Sequence, residues 1–269
     1  MSFFDAILLG LIQGLTEFLP ISSSGHLVLG QALLGVKQQD ILFEVFVHFG
    51  TLLAVFVLLW RDIIDLFKSF FGVFKRKQSL SEYYKTSADF RTVVFILIAT
   101  LPAVIIGLLL NSHIQKAFAD PIMACYMLIV TALILSASYF TPTTLKPNTV
   151  LISIAMGLAQ ALAIFPGISR SGSTISTGMI LGIGGHEAAR FSFLLSIPAI
   201  LGATILEGMS LFTRTPNSQT IYLLITGAAV SFIAGYVSMK VLLRVVKKGK
   251  LYWFAPYCLI LGVLGLLFL

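Results

Sequence analysis

Six stretches of this chain, at about 41–60, 92–110, 121–140, 191–211, 221–243 and 254–269, are apolar over nearly the whole of their length. A helix rising about 1.5 Å per residue needs roughly 20 residues to cross a bilayer, and these stretches meet or approach that length. In hydrocarbon every backbone N–H and C=O must be satisfied within the protein, which leaves packed helices or a closed barrel as spanning structures. Continuous apolar runs of this length belong to helices. The expected fold is therefore all-α: a polytopic integral membrane protein with about six transmembrane helices, forming a single membrane domain over 1–269. Composition agrees, with 58% of residues hydrophobic and 11% charged, where a soluble domain carries about 25% charged residues. The opening "MSFFDAILLGLIQGLTEFLP" lacks the basic region and small-residue cleavage site of a signal peptide, so it reads as part of the mature fold. A net charge of +7 points to basic cytoplasmic loops rather than to a nucleic-acid partner. Cys125 and Cys258 lie inside apolar runs without metal-ligand spacing and read as reduced, packed thiols.

Two places break the pattern. Residues 3–19 are apolar, then comes "PISSSGH" (20–26), then only "LVLGQALLGV" (27–36). Residues 150–165 are apolar, then comes "PGISRSGST" (166–174), then "ISTGMILGIG" (175–184). A ten-residue helix spans about half the hydrocarbon core. Both places read as re-entrant helix-loop-helix hairpins, whose polar turns are tolerated at depth only when buried in protein or lining a wet cavity. Lysine and arginine set the sidedness. Arg61, Lys68, Lys75, Arg76, Lys77, Lys85, Arg91, Lys146, Arg190, Arg244, Lys247, Lys248 and Lys250 fall in loops of one side, and only Lys37, Lys116 and Arg214 in loops of the other. The rich side is the cytoplasmic one, which leaves both termini outside. The segment 62–78 carries apolar residues at helical spacing beside basic ones and reads as an interfacial helix.

Sliding the chain on itself by 147 residues aligns "GLIQGLTEFLPISSSGH" (10–26) with "GLAQALAIFPGISRSGS" (157–173) without a gap. Gln13 meets Gln160, Ser22 meets Ser169, Ser24 meets Ser171 and Gly25 meets Gly172. Each half, 1–149 and 150–269, is then one hairpin plus three spans. Three is odd, so the second half is inverted relative to the first, and inverted repeats place their sites near mid-depth, where broken helices meet.

The aligned loops differ in their reactive groups. Ser23 stands opposite Arg170, His26 opposite Ser173, and Glu17 opposite Ile164. A guanidinium at membrane depth is costly and forks onto phosphate or carboxylate oxygens. Ser169, Ser171, Ser173 and Thr174 surround Arg170 with hydroxyls, Ser22 does so from the first loop, and the start of an outgoing helix adds a positive dipole end. This cradle suits a phosphate. A structural arginine paired with Glu44 or Glu207 is the alternative. Gln13 and Glu17, four apart, share a helix face and offer hard oxygen ligands for Mg²⁺ or Ca²⁺; a polar helix–helix contact fits the same spacing. Ser23 and His26 share the tight first loop, where His26 can serve as base toward Ser23 or water or act as a hydrogen-bonded core residue. Glu44 and His48 form another pair four apart, with Glu44 a candidate for supporting the site. His113 and His186 are expected in loops.

"QGLTEFLPISSSGH" and "PGISRSGST" resemble the two signature motifs of the bacitracin-resistance type undecaprenyl-diphosphate phosphatases, and the resemblance runs the length of the chain, including "ILFEVFVHFGTLLAVFVLLWR" and "FSFLLSIPAILGA". It implies an enzyme of the bacterial cytoplasmic membrane that hydrolyses undecaprenyl diphosphate to undecaprenyl phosphate and inorganic phosphate. That reaction recycles the lipid carrier for peptidoglycan synthesis and removes the form that bacitracin binds. It further implies functional roles for Glu17, Ser23, His26 and Arg170, a divalent cation near Gln13 and Glu17, and a site open to the outer side. The expected partners are the lipid substrate, membrane lipids and, as one open assembly, a second copy of the chain. The competing function is a polyprenyl-phosphate flippase, since inverted repeats with broken helices also build transporters.

Overall fold

The computed structural model describes residues 1–34, 41–75, 79–142, 144–208 and 218–269. Lys37, Arg76, Lys77, Arg214 and the outer end of the 191–211 stretch lie outside the described residues, as does the side chain of Glu207. The described residues form helices and no strand. In chain order these are α1 (Phe3–Phe18), α2 (Ser23–Leu34), α3 (Ile41–Leu58), α4 (Trp60–Gly72), α5 (Leu80–Thr86), α6 (Ala88–Leu109), α7 (Asn111–Phe118), α8 (Pro121–Ala137), α9 (Val150–Leu162), α10 (Arg170–Ile180), α11 (Gly185–Gly208), α12 (Ser218–Lys247) and α13 (Ala255–Phe268).

Five of them, α6, α8, α11, α12 and α13, are long and apolar enough, alone or with a flanking turn, to cross a membrane. The helix α3 meets the same test only together with α4, and the two are bent by 82° at Leu59. The bend coincides with the onset of charge at Arg61 and Asp62. It turns α4 across the axis of α3, the attitude of an interfacial helix, with Trp60, Phe67 and Phe71 on its exposed surface and Phe74 exposed just beyond its end. The protein is thus a multi-pass membrane protein. Its many exposed leucines and isoleucines, among them Leu97, Leu101, Leu108, Leu133 and Ile260, are lipid-facing rather than anomalous.

The boundaries follow local chemistry. Ser2 and Asp5 close a reciprocal capping box on α1, and Ser87, Asp120 and Thr149 cap α6, α8 and α9 with their side-chain oxygens. Two helices were not anticipated: α5, inside the basic segment, and α7, on which His113 lies. Likewise His186 sits in the first turn of α11 and not in a loop. The helices α11 and α12 extend past the apolar stretches that predict them, since a helix continues into water as long as its own ladder holds.

The hairpin helices pack where glycine lets backbones close up. A Cβ on Gly10 would lie 2.6 Å from the Gly227 carbonyl oxygen, so α1 sits directly against α12. Gly157, the partner of Gly10 at the 147-residue offset, brings α9 against the Ala99 carbonyl of α6 in the same way. Between the hairpins the core is filled by Phe18, Met156, Ile175, Phe193, Met239 and Leu242, with Phe18 and Phe193 edge to face at 5.5 Å. Cys125 and Cys258 are free and buried.

Candidate active site

Glu17 ends α1 with its side chain almost wholly buried, and four groups converge on it. Gln13, one turn earlier, donates from Nε2 to Glu17 Oε2 at 2.9 Å. Ser23, the first residue of α2, donates its hydroxyl to the same oxygen at 2.5 Å. Arg170, the first residue of α10, forms an ion pair with Oε1. His48 of α3 brings Nε2 to 3.8 Å from Oε2. One carboxylate therefore ties together α1, α2, α3 and α10, and it joins the two loops at residues 153 positions apart.

Both loops are built alike. Ser22 shares a hydrogen bond with Ser24 at 3.3 Å and accepts from Gly25 N at 3.2 Å. Ser169 shares one with Ser171 at 3.3 Å and accepts from Gly172 N at 3.0 Å. Each loop also contains a left-handed residue, Ser22 at φ 69° and Gly167 at φ 94°. A side chain at Gly167 would collide with the carbonyl of Ala124 as well as being strained. The second loop is braced by Thr131 of α8, which donates to the Gly167 carbonyl at 2.7 Å and accepts from Ser169 N at 3.0 Å.

The candidate phosphate ligands divide into occupied and free groups. Ser22 and Ser169 build turns. Ser171 donates to the Leu19 carbonyl at 3.1 Å, locking one loop onto the other. Thr174 donates back to the Arg170 carbonyl at 2.8 Å and shares a 2.6 Å hydrogen bond with Ser192 of α11. Arg170 Nη1 and Ser173 Oγ are buried without any partner among the described residues. A buried polar atom left unsatisfied costs about 1–3 kcal/mol, and here both are donors beside an ion pair, so a ligand rich in anionic oxygen would relieve both.

Two residues stand apart from the expected geometry. His26 does not reach Ser23. Its Nδ1 lies 2.7 Å from the Ser22 carbonyl and its Nε2 lies 2.7 Å from the Tyr257 hydroxyl of α13. Glu17, not the imidazole, holds the Ser23 proton. Glu44 does not pair with Arg170 and does not touch Glu17: it accepts from Gln31 Nε2 at 2.7 Å and fastens α3 to α2. Its neighbour His48, left open by the sequence, is the one that reaches the site. Thr131, Ser192 and Tyr257 were missed. A threonine inside the apolar stretch 121–140 is a weak flag for Thr131; Ser192 and Tyr257 have no local pattern to betray them.

Among the described residues no three histidine, cysteine or carboxylate side chains cluster to hold a metal ion. Gln13 Oε1, however, is buried and unpartnered, next to the Glu17 carboxylate. Two hard oxygens of this kind fit a divalent cation as a partial shell, the remainder coming from water or phosphate oxygen.

Comparison with known proteins puts this site in context. A family model described as bacitracin resistance protein BacA matches residues 6–264. An undecaprenyl-diphosphatase of Desulfatibacillum aliphaticivorans is 42% identical, with 97% of each chain covered. That of Bacteroides fragilis (strain YCH46) is 41% identical, covering 98% of this chain and 97% of its own. That of Salinibacter ruber is 38% identical over 99% of both.

Proposed function

The chain belongs to the bacitracin resistance protein BacA family, and from that premise we propose that it hydrolyses undecaprenyl diphosphate to undecaprenyl phosphate and inorganic phosphate at the junction of its two loops. The relatives named above are diphosphatases by name, and the flippase alternative gains nothing from them. Hydrolysis returns the lipid carrier to cell-wall synthesis and depletes the diphosphate that bacitracin binds. The observation that carries the assignment of residues is the Glu17 carboxylate, which holds a serine hydroxyl with one oxygen and a guanidinium with the other.

The chemistry runs as follows. The terminal phosphate of the substrate competes with Glu17 for Arg170 and takes up the free donors Arg170 Nη1 and Ser173 Oγ, while Ser169, Ser171 and Thr174 keep the cradle in shape. Ser23 Oγ attacks the terminal phosphorus as Glu17 takes its proton. The anhydride P–O bond breaks, its oxygen leaving with undecaprenyl phosphate, and the guanidinium offsets the charge spread over the transferring group. Water then attacks the phosphoserine, giving its proton to His26, which lies one helical turn beyond Ser23 on α2. The P–Oγ bond breaks, Ser23 regains its proton from Glu17, and phosphate departs. Gln13 and Glu17 would hold a divalent cation, Mg²⁺ or Ca²⁺, which when bound supplies further charge neutralisation at the phosphate. Glu44 supports the site from outside by fixing α3, and with it His48, to α2.

We also read the halves 1–149 and 150–269 as an inverted repeat within one membrane domain. The matched turns at Ser22 and Ser169 and the matched helix contacts at Gly10 and Gly157 support that reading. With the basic loops cytoplasmic, the enzyme sits in the bacterial cytoplasmic membrane with both termini, and the mouth of its site, outside.

Phosphate release from undecaprenyl diphosphate by the purified protein tests the assignment. Arg170→Ala and Glu17→Ala should each lower turnover by about 100-fold or more. Rapid acid quenching should trap a phosphoprotein that Ser23→Ala cannot form. Near-normal turnover in Arg170→Ala and Glu17→Ala would refute the site. A phosphoprotein that persists in Ser23→Ala would refute the nucleophile.

A further inference from the structure

We propose that Tyr257 is a positioning residue of the hydrolytic site: its phenol holds the His26 ring with Nε2 as the bare, proton-accepting nitrogen and yields that nitrogen when water is to be activated. The proposal rests on the reading of His26 as the base of the second step.

The argument starts from donors and acceptors. The Ser22 carbonyl can only accept, so the 2.7 Å contact with His26 Nδ1 requires the proton to be on Nδ1. A neutral ring protonated there has its lone pair on Nε2. Among the described residues no carboxylate pairs with His26, and we read the ring as neutral. The Tyr257 hydroxyl, 2.7 Å from Nε2, is then the donor. The two rings stack with centroids 5.6 Å apart and planes within 3°, which restrains the imidazole against rotation out of this arrangement. A metal-ligating or proton-accepting histidine is set by what its other nitrogen does; here both nitrogens are specified, one by the turn of the first loop and the other from α13, 231 residues away.

The same contact explains how α13 takes part in the site. Cys258, next to Tyr257, lies against the Pro20 carbonyl at 3.8 Å, so the start of α13 is packed on the first loop. Tyr257 itself remains 46% exposed, so its side chain has room to turn away from Nε2. Swapping a phenol O–H for a water O–H at Nε2 exchanges one neutral hydrogen bond for another, so the imidazole is freed at little cost and without moving its own ring.

The test is steady-state hydrolysis of undecaprenyl diphosphate by the full-length protein in detergent, with Tyr257→Phe and His26→Gln in parallel. Phenylalanine keeps the stack and removes only the hydroxyl. Losing one neutral hydrogen bond should lower kcat about 3- to 10-fold, with KM within about twofold of the parent and an unchanged thermal midpoint. A residue that merely packs would leave kcat alone, and one that binds substrate would raise KM. Unchanged kcat, or a rise in KM alone, overturns the proposal. Nitrogen-15 spectra of the histidine-labelled parent protein give a second reading, with His26→Gln used to assign the signal. The His26 ring should be protonated at Nδ1, with Nε2 shifted as a hydrogen-bond acceptor; the opposite tautomer overturns the proposal. His26→Gln should itself be strongly impaired. If it turns over normally, the base assignment fails and the role of Tyr257 with it, whereas an inactive His26→Gln beside an unaffected Tyr257→Phe removes Tyr257 alone.

Discussion

Glu17 and Arg170 form a buried pair whose removal has two consequences that measurement can separate. Deleting one partner strands the other charge in a largely buried site, which costs about 3–5 kcal/mol of stability. An inactive Arg170→Ala protein could therefore be inactive because it is poorly folded. Replacing both partners by neutral side chains of similar size, Glu17→Gln with Arg170→Met, strands no charge. We expect Arg170→Ala to lower the thermal midpoint clearly, the double variant to recover most of that loss, and both to hydrolyse no undecaprenyl diphosphate above background. Scanning calorimetry alongside phosphate release checks this. Recovery of turnover together with the midpoint would make the pair structural. The pairing was half legible in the sequence. The 147-residue offset set the two loops tip to tip and marked Arg170 as an intruder, and the Gln13–Glu17 spacing put both side chains on one face. What could not be read was the choice of partner for each group. Ser23 went to Glu17 and His26 to Tyr257 because the outgoing helices start at Ser23 and Arg170, inside the stretches 20–26 and 166–174 that read as polar turns, and a 100° step per residue turns such an offset into a different neighbour.

At the scale of elements, the hairpins were legible because their flanking helices are too short to span and their turns too polar for lipid. Five of the six expected spans were legible because hydrocarbon admits so few alternatives. The short helix α7 was not, since three apolar residues, Ile114, Ala117 and Phe118, are too few to establish a helical period. Least visible was the support that one span gives another's loop. Thr131 of α8 satisfies both a carbonyl and an N–H of the second loop, at Gly167 and Ser169, immediately before Arg170. Thr131→Val keeps the shape and leaves two buried backbone groups unsatisfied, each worth about 1–3 kcal/mol. The variant should show a lowered thermal midpoint and a several-fold fall in kcat, because the guanidinium loses its fixed origin. Thr131→Ser keeps the hydroxyl and should behave like the parent. Equal behaviour of the valine and serine variants in both assays would show that the brace is idle.

For the molecule as a whole, orientation decides from which side the site can be reached. On the proposed topology the two hairpins each return to the side they enter and leave the parity of the chain unchanged, and six spans bring the ends of the chain to one side. The basic residues that follow α3 and α12, among them Arg61, Lys68, Lys247, Lys248 and Lys250, are the strongest orienting signal, and the positive-inside rule assigns them to the cytoplasm. If that holds, Ser2 and Leu269 are outside and Lys248 is inside. Cysteine labelling can read this directly, because the two native thiols, Cys125 and Cys258, are fully buried and should stay silent. With a membrane-impermeant maleimide on intact spheroplasts, Ser2→Cys and Leu269→Cys should be labelled, and Lys248→Cys only after the membrane is opened. The reverse pattern would turn the protein over and place the mouth of the site on the cytoplasmic face. Labelling of only one terminus would make the number of crossings odd, and one hairpin would then have to be a full span. In that event the two loops would not both dip to mid-depth from opposite sides, and the inverted repeat would no longer explain why Glu17 and Arg170 meet.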